Sequence, residues 1–191
     1  MRFTLIVTDA SPLITLAKAE ALDILLFPGW PIAVPDAVYS EAADLRFADG
    51  SRVREWISAN PSKVRIEPTA KGQQQAALWS LNQSARDFGE LAAIEVATAH
   101  LRQSPDDRVV LLYEDADLDQ LRASINARVA LLTTGSFLAS LQRRGLIQSA
   151  DKILDDAERV GRNIERQRGL AADPDVTAAL NERLDYLKPP R

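Results

Sequence analysis

Phe3-Thr4-Leu5-Ile6-Val7-Thr8-Asp9-Ala10-Ser11-Pro12 is an apolar run that ends on an acid and turns at once into a helical pattern. From Phe3 to Val7 only Thr4 is polar, as expected of a strand buried on both faces in a parallel sheet. Ser11 is a good N-cap and Pro12 suits the first helical position, so a helix is expected from Leu13 to Leu26. Asp9 then stands in the turn at the carboxyl end of the first strand, where open α/β sheets bind their ligands. Taken alone, it is equally an acid that favours a helix N-terminus. Other acids must decide.

The device recurs at Val109-Val110-Leu111-Leu112-Tyr113, a second buried strand followed immediately by Glu114-Asp115-Ala116-Asp117. Between and after these lie Ile32-Ala33-Val34, an edge strand Val64-Arg65-Ile66, and Val129-Ala130-Leu131-Leu132, separated by stretches of helical period. Helices are expected over Val38–Leu45, Ser51–Ala59, Lys71–Asn82, the run from Gly89 to His100, and Phe137–Arg144. In the Lys71–Asn82 helix, Ala77, Leu78 and Leu81 should face inward, Trp79 is available to an interface, and Gln73, Gln74 and Gln75 read as a solvated face. Strands and helices alternating at these lengths predict a three-layer α/β/α sandwich with a mostly parallel central sheet.

Composition narrows the chemistry. The 191 residues contain no Cys and one His, His100, which excludes a disulfide scaffold, a thiolate metal site and a multi-histidine zinc site within one chain. Any metal would be held by carboxylates. Absence of Cys fits a reducing cytoplasm, and neither a signal peptide nor an apolar span of membrane length is read. A net charge of −4 gives no global attraction to a polyanion, so a nucleic-acid substrate needs local cations or a bridging metal. Arg122, Arg128, Arg143 and Arg144 follow or flank the acid-bearing elements and are the candidates to steer RNA.

Two further acids open or occupy helices. Glu41 shares a side of its helix with Val38, three residues before it, and Glu90 stands at the start of Gly89-Glu90-Leu91-Ala92-Ala93-Ile94-Glu95-Val96-Ala97, whose small residues let a helix approach the sheet closely. Glu95 lies about 140° round that helix from Glu90 and cannot easily serve the same site. His100 reads as a helix-boundary residue.

These stretches carry a resemblance. Val7-Thr8-Asp9-Ala10-Ser11-Pro12, Val34-Pro35-Asp36-Ala37-Val38-Tyr39-Ser40-Glu41, Gly89-Glu90-Leu91-Ala92-Ala93-Ile94-Glu95, Leu111-Leu112-Tyr113-Glu114-Asp115-Ala116-Asp117 and Leu132-Thr133-Thr134-Gly135-Ser136-Phe137 follow one another as in the PIN-domain family, which residues 3 to 147 resemble. Within it the chain is most similar to VapC-like toxins of bacterial type II toxin–antitoxin pairs. The resemblance implies an acidic metal site of Asp9, Glu41, Glu90 and Asp115 with Asp117 as an auxiliary acid. It also implies hydrolysis of RNA phosphodiesters, a cognate antitoxin and a homodimer. PIN domains more often carry aspartate where Glu90 stands.

The chemistry is coherent without the name. Clustered carboxylates repel one another, and a hard cation such as Mg²⁺ or Mn²⁺ relieves this while accepting water and phosphate oxygens. Ser11 and Thr134 or Ser136 are candidates to hold a ligating acid or a water, and serve equally as turn and capping residues. Two other readings stay open: a non-catalytic binding protein on the same fold, and a phosphatase of the haloacid-dehalogenase type. The latter wants an aspartate where Ser11 stands. Residues 1–147 are taken as the nuclease-like domain and 148–191 as a helical extension, whose narrow apolar stripes through Ile153, Leu154, Ala157 and through Val176, Leu180, Leu184 suit docking on the domain or on a partner.

Overall fold

A computed structural model describes residues 2–83, 87–114, 122–164 and 172–186. Five strands, β1 (Arg2–Thr8), β2 (Ile32–Pro35), β3 (Val64–Glu67), β4 (Asp107–Tyr113) and β5 (Val129–Thr133), form one sheet in the order β3-β2-β1-β4-β5. Every neighbouring pair is parallel. The expected α/β/α architecture is therefore the observed one.

The order explains where a ligand can go. The chain leaves β1 toward β2 and β3 on one side, then crosses back so that β4 pairs with the other edge of β1. The crevice at the carboxyl ends of β1 and β4 is thus the topological switch point, the place where neither connecting helix covers the sheet edge. Asp9 stands there, its backbone N–H donating to Leu112 O at 3.0 Å.

The helices among the described residues are α1 (Ala10–Lys18), α2 (Asp36–Ala42), α3 (Ala48–Ala59), α4 (Ala70–Ser80), α5 (Phe88–Gln103), α6 (Thr134–Arg143), α7 (Ala150–Arg159) and α8 (Pro174–Tyr186). Strand alternation sends Ile6, Val110, Leu112, Ala130 and Leu132 into a larger core with α1, α3, α6 and α8. It sends Leu5, Val7, Val109, Leu111 and Leu131 into a smaller core against Ala93, Val96, Ala97 and Leu101 of α5. The alanines of α5 serve as the sequence suggests, bringing that helix close to the sheet.

Several expectations need correction. The first helix stops at Lys18, and a separate 3₁₀ turn covers Leu22–Leu26; between them Glu20 takes a left-handed backbone, φ 55°. That helix begins at Ala10, so neither Ser11 nor Pro12 holds its expected cap position, and Asp9 is the N-cap. In α4, Ala77 and Trp79 face outward and Leu81 is exposed, whereas Gly72 and Gln75 are buried. Gly72 lies against the Asp36 carboxylate so closely that a Cβ there would fall 2.1 Å from its Oδ1. A polar partner, not apolar periodicity, sets which face of α4 points in.

The C-terminal helices pack on the chain itself: Val176, Leu180 and Leu184 join the larger core, and Ala157 is fully buried. Asp173 docks on the outer edge of β5, its N–H donating to Leu131 O and its Oδ2 accepting from Leu131 N, both at 2.8 Å. That contact covers an otherwise open strand edge.

Candidate active site

Asp9, Glu41 and Glu90 come together at the switch point. Asp9 is 4% exposed, and although it occupies the N-cap of α1 its side chain makes no capping hydrogen bond. Its Oδ1 lies toward Gly89 at the crevice, while the Ala10 and Ser11 N–H groups still favour its ionised form. Glu41 is carried by α2, which starts directly after β2 because Pro35 ends the strand and suits a helix entry. Glu90 lies in the first turn of α5, launched from Asp87 with a left-handed backbone, φ 60°.

The space where the acids meet is made by Gly89. A Cβ at this position would lie 3.3 Å from both Asp9 Oδ1 and Glu41 Oε2, so the two oxygens are no more than twice that distance apart. Burial is the largest cause raising the Asp9 carboxyl, followed by the negative charge of Glu90; with a smaller push from Glu41, they lift it from 3.8 to about 7 against the pull of the Ala10 and Ser11 N–H groups. Burial and then Glu90 likewise raise Glu41 from 4.5 to about 7, while a hydrogen bond from Gln75 opposes the shift. Two carboxyls poised near neutrality in one crevice are the electrostatic pattern of a functional site.

Gln75 is a residue that sequence reasoning misread. It is 1% exposed, and its Nε2 donates to Glu41 Oε1 at 2.6 Å, fixing that carboxylate and leaving Oε2 toward Gly89. The three-glutamine run hid it; the missing signal was its spacing of three from Gly72, the other buried residue of the helix. Glu95, expected to lie apart from Glu90, does so: it accepts from the backbone N–H groups of Ala70 and Lys71 and closes the N-terminus of α4. His100 sits at the far end of α5, bonded to Thr4 and Asp107.

The remaining candidates divide. Asp115 and Asp117 lie outside the described residues. Their neighbour Glu114 is 3% exposed on the α1 side, where Oε2 accepts from Thr15 Oγ1 at 2.8 Å and from Arg162 Nη2 at 2.9 Å. Arg162 also donates through Nε to Thr15 Oγ1 and through Nη2 to Ser11 O. Ser11 thus enters through its backbone. Thr133, not Thr134 or Ser136, caps α6, accepting from Ser136 N. Thr134 is fully buried, and among the described residues its Oγ1, like Glu114 Oε1, has no hydrogen-bond partner.

The four arginines expected to steer RNA do not gather at the crevice. Arg128 donates to the carbonyls of Pro105 and Leu101, at the edge where β5 begins. Arg143 and Arg144 stand at the end of α6 away from the strands' carboxyl edge, Arg144 paired with Asp185. Arg122 pairs with Asp173. For Arg143 and Arg144, position after an acid-bearing element was a poor guide, because α6 carries its later residues to the opposite edge of the sheet.

Three hard oxygen-donor side chains, two of them, Asp9 and Glu41, raised by burial and by the charge of Glu90, suit a divalent cation, which would relieve both the repulsion and the protonation. Among the described residues no group of three such side chains is closed tightly enough to hold an ion unaided. No helix among them is long and apolar enough to cross a membrane. A family model described as a PIN domain matches residues 5–169. No curated protein and no solved structure matches the chain.

Proposed function

The chain belongs to the PIN-domain family, and on that premise we propose that it is a metal-dependent endoribonuclease acting through Asp9, Glu41 and Glu90, with Asp115 as the fourth acid. The observation that carries this reading is the convergence of three carboxyl groups at the β1/β4 switch point, two of them lifted to about 7. Bound Mg²⁺ or Mn²⁺ would supply Lewis acidity toward a phosphodiester and lower the pKa of a water.

The chain's own contribution is preorganisation. Gln75 holds Glu41 Oε1 so that Oε2 faces the crevice, where it is placed to accept a proton from an attacking water. Asp9 is fixed through its backbone to β4. Burial of these groups keeps bulk water from screening their charges.

The test is cleavage of single-stranded RNA with Mg²⁺ or Mn²⁺. Asp9→Asn should abolish it, EDTA should stop it, and added metal should restore it. Cleavage that survives both treatments would end this reading. Binding of RNA without cleavage would favour a binding protein on the PIN fold, and release of phosphate from a monoester would favour a phosphatase.

We further assign the chain to the toxin side of a type II toxin–antitoxin pair, acting in the cytoplasm as a homodimer whose acidic crevice is covered by a cognate antitoxin. A guanidinium inserted between the carboxylates would offset the same repulsion as a cation. Expression alone should arrest growth, and co-expression with the product of an adjacent small gene should relieve it.

A further inference from the structure

A groove of 820 Å³ opens beside the acids, walled by Tyr39 and Glu41 on α2, Arg54 on α3, and Trp79, Asn82 and Gln83 at the end of α4. Glu41 belongs to both groove and crevice. Whatever lies in the groove therefore adjoins the acidic site.

Its lining is not accounted for by folding. Trp30 and Trp56 are buried, but Trp79 is 42% exposed. Arg54 makes no ion pair among the described residues, and its single hydrogen bond is a long one, 3.4 Å from Nη2 to Ala43 O. By contrast, Arg46 on the same wall is bound by Asp44 at 2.5 Å. Asn82 takes a left-handed backbone, φ 54°, and the N–H groups of Asn82 and Gln83 return to Trp79 O and Leu78 O. The backbone at the end of α4 is thereby satisfied. The side-chain amides of both residues remain without partners among the described residues, facing the groove.

An open indole, an unneutralised guanidinium and two amides, continuous with a carboxylate site, are complementary to an unpaired nucleotide. The indole offers a stacking platform, the amides can read a base edge, and the guanidinium can meet a phosphate. A duplex cannot use the platform, because its bases are already stacked on one another. Resting on the nuclease reading above, we infer that this groove is a single-strand subsite that stacks an unpaired base of the RNA on Trp79 beside the bond to be cut. The rival occupant is a protein surface covering Trp79 and the exposed Leu45 of the same wall.

The test uses the full chain carrying Asp9→Asn and a short unpaired oligoribonucleotide with a fluorescent end label. Binding is read by anisotropy and by tryptophan emission, in which Trp79 is the exposed reporter. The expected results are quenching on binding, and a loss of affinity of roughly tenfold or more in Trp79→Ala, with Trp79→Phe retaining most of it. Arg54→Gln should lower the slope of log affinity against log salt by roughly 0.7. An oligonucleotide with abasic residues should bind the Trp79 protein as weakly as Trp79→Ala binds the intact one. Circular dichroism melting checks that the exposed-site variants stay folded. Unchanged affinity in folded Trp79→Ala overturns the subsite while leaving the nuclease reading intact. Unchanged RNA affinity with a shift in sedimentation from dimer to monomer overturns it in favour of a protein interface. If neither the Asp9→Asn chain nor the wild-type chain in EDTA binds the oligoribonucleotide, the subsite is overturned, whereas the nuclease reading fails only if the wild-type chain with Mg²⁺ or Mn²⁺ cleaves no single-stranded RNA.

Discussion

Gln75 and Glu41 are joined across the α2–α4 contact by a 2.6 Å hydrogen bond from Nε2 to Oε1, with the amide 1% exposed. The bond favours the ionised form of Glu41 against the burial and the Glu90 charge that oppose it. Gln75→Leu, similar in volume but unable to donate, should push the Glu41 carboxyl further up. The acid limb of the kcat/KM profile for RNA cleavage should then move to higher pH, with little change once the pH is well above the limb. A uniform loss of activity at every pH would instead mean that Gln75 only packs.

Arg162 ties the segment after α7 to the end of β4 through Glu114, a carboxylate with 2% of its side chain exposed. Removing one member of a buried pair strands the other. Arg162→Ala should therefore cost about 3 kcal/mol in denaturant unfolding, the lower end of the usual range because the guanidinium retains some solvent contact. Combining Arg162→Met with Glu114→Gln should cost clearly less than the sum of the two single changes. Additive losses would show that the two side chains are not energetically coupled.

What was legible in the sequence followed from local rules. Continuous apolar runs ending on acids located β1 and β4, because a strand covered on both faces leaves little freedom of composition, and an acid just past it must lie at the sheet edge. Asp9 was named from such a position, whereas Glu41 and Glu90, carried by helices, were assigned to the site through the resemblance of their stretches to the PIN-domain family. Gln75 and Arg162 were not legible, since each acts through a partner 34 or 48 residues away, and no local pattern marks a polar residue that is buried because something distant needs it. The arginines misled for a related reason. Arg143 and Arg144 follow the turn at residues 133–136 closely in sequence, yet α6 places them at the far end of the helix from it.

Gly89 invites a substitution with opposed effects. Alanine is favoured over glycine by up to about 1 kcal/mol in a helix interior and by less in the first turn, where Gly89 stands, yet its Cβ would enter the gap between Asp9 Oδ1 and Glu41 Oε2 at 3.3 Å from each. Carboxylate ends can yield by a few tenths of an ångström, so Gly89→Ala should fold with its melting temperature little changed. The displaced acids should bind Mn²⁺ more weakly, by roughly tenfold in titration calorimetry if about 1.4 kcal/mol of ligand alignment is lost. Unaltered Mn²⁺ affinity would mean that the gap is not where the cation sits.

Stability of the metal-free protein should fall as pH rises. Asp9 and Glu41 have ordinary values of 3.8 and 4.5 and are both lifted to about 7 in the folded chain. Below pH 4, folded and unfolded states alike hold these protons. Between that point and neutrality the unfolded chain has released protons that the native state retains, so the native state loses stability with each increment of pH. Above about 7 the crevice carries its full negative charge, and no further loss arises from this pair. Because the two groups also feel Glu90, the loss should follow one broad transition of the cluster rather than two separate steps. Thermal melting in EDTA should accordingly give a higher melting temperature near about pH 5 than near about pH 8, and Asp9→Asn should flatten that difference. Mg²⁺ or Mn²⁺ competes with protons for the same oxygens, so it should raise the melting temperature more at the higher pH. A melting temperature in EDTA that rises from the acid to the neutral side in the wild-type chain, and falls in Asp9→Asn, would contradict the sign derived from these two carboxyls.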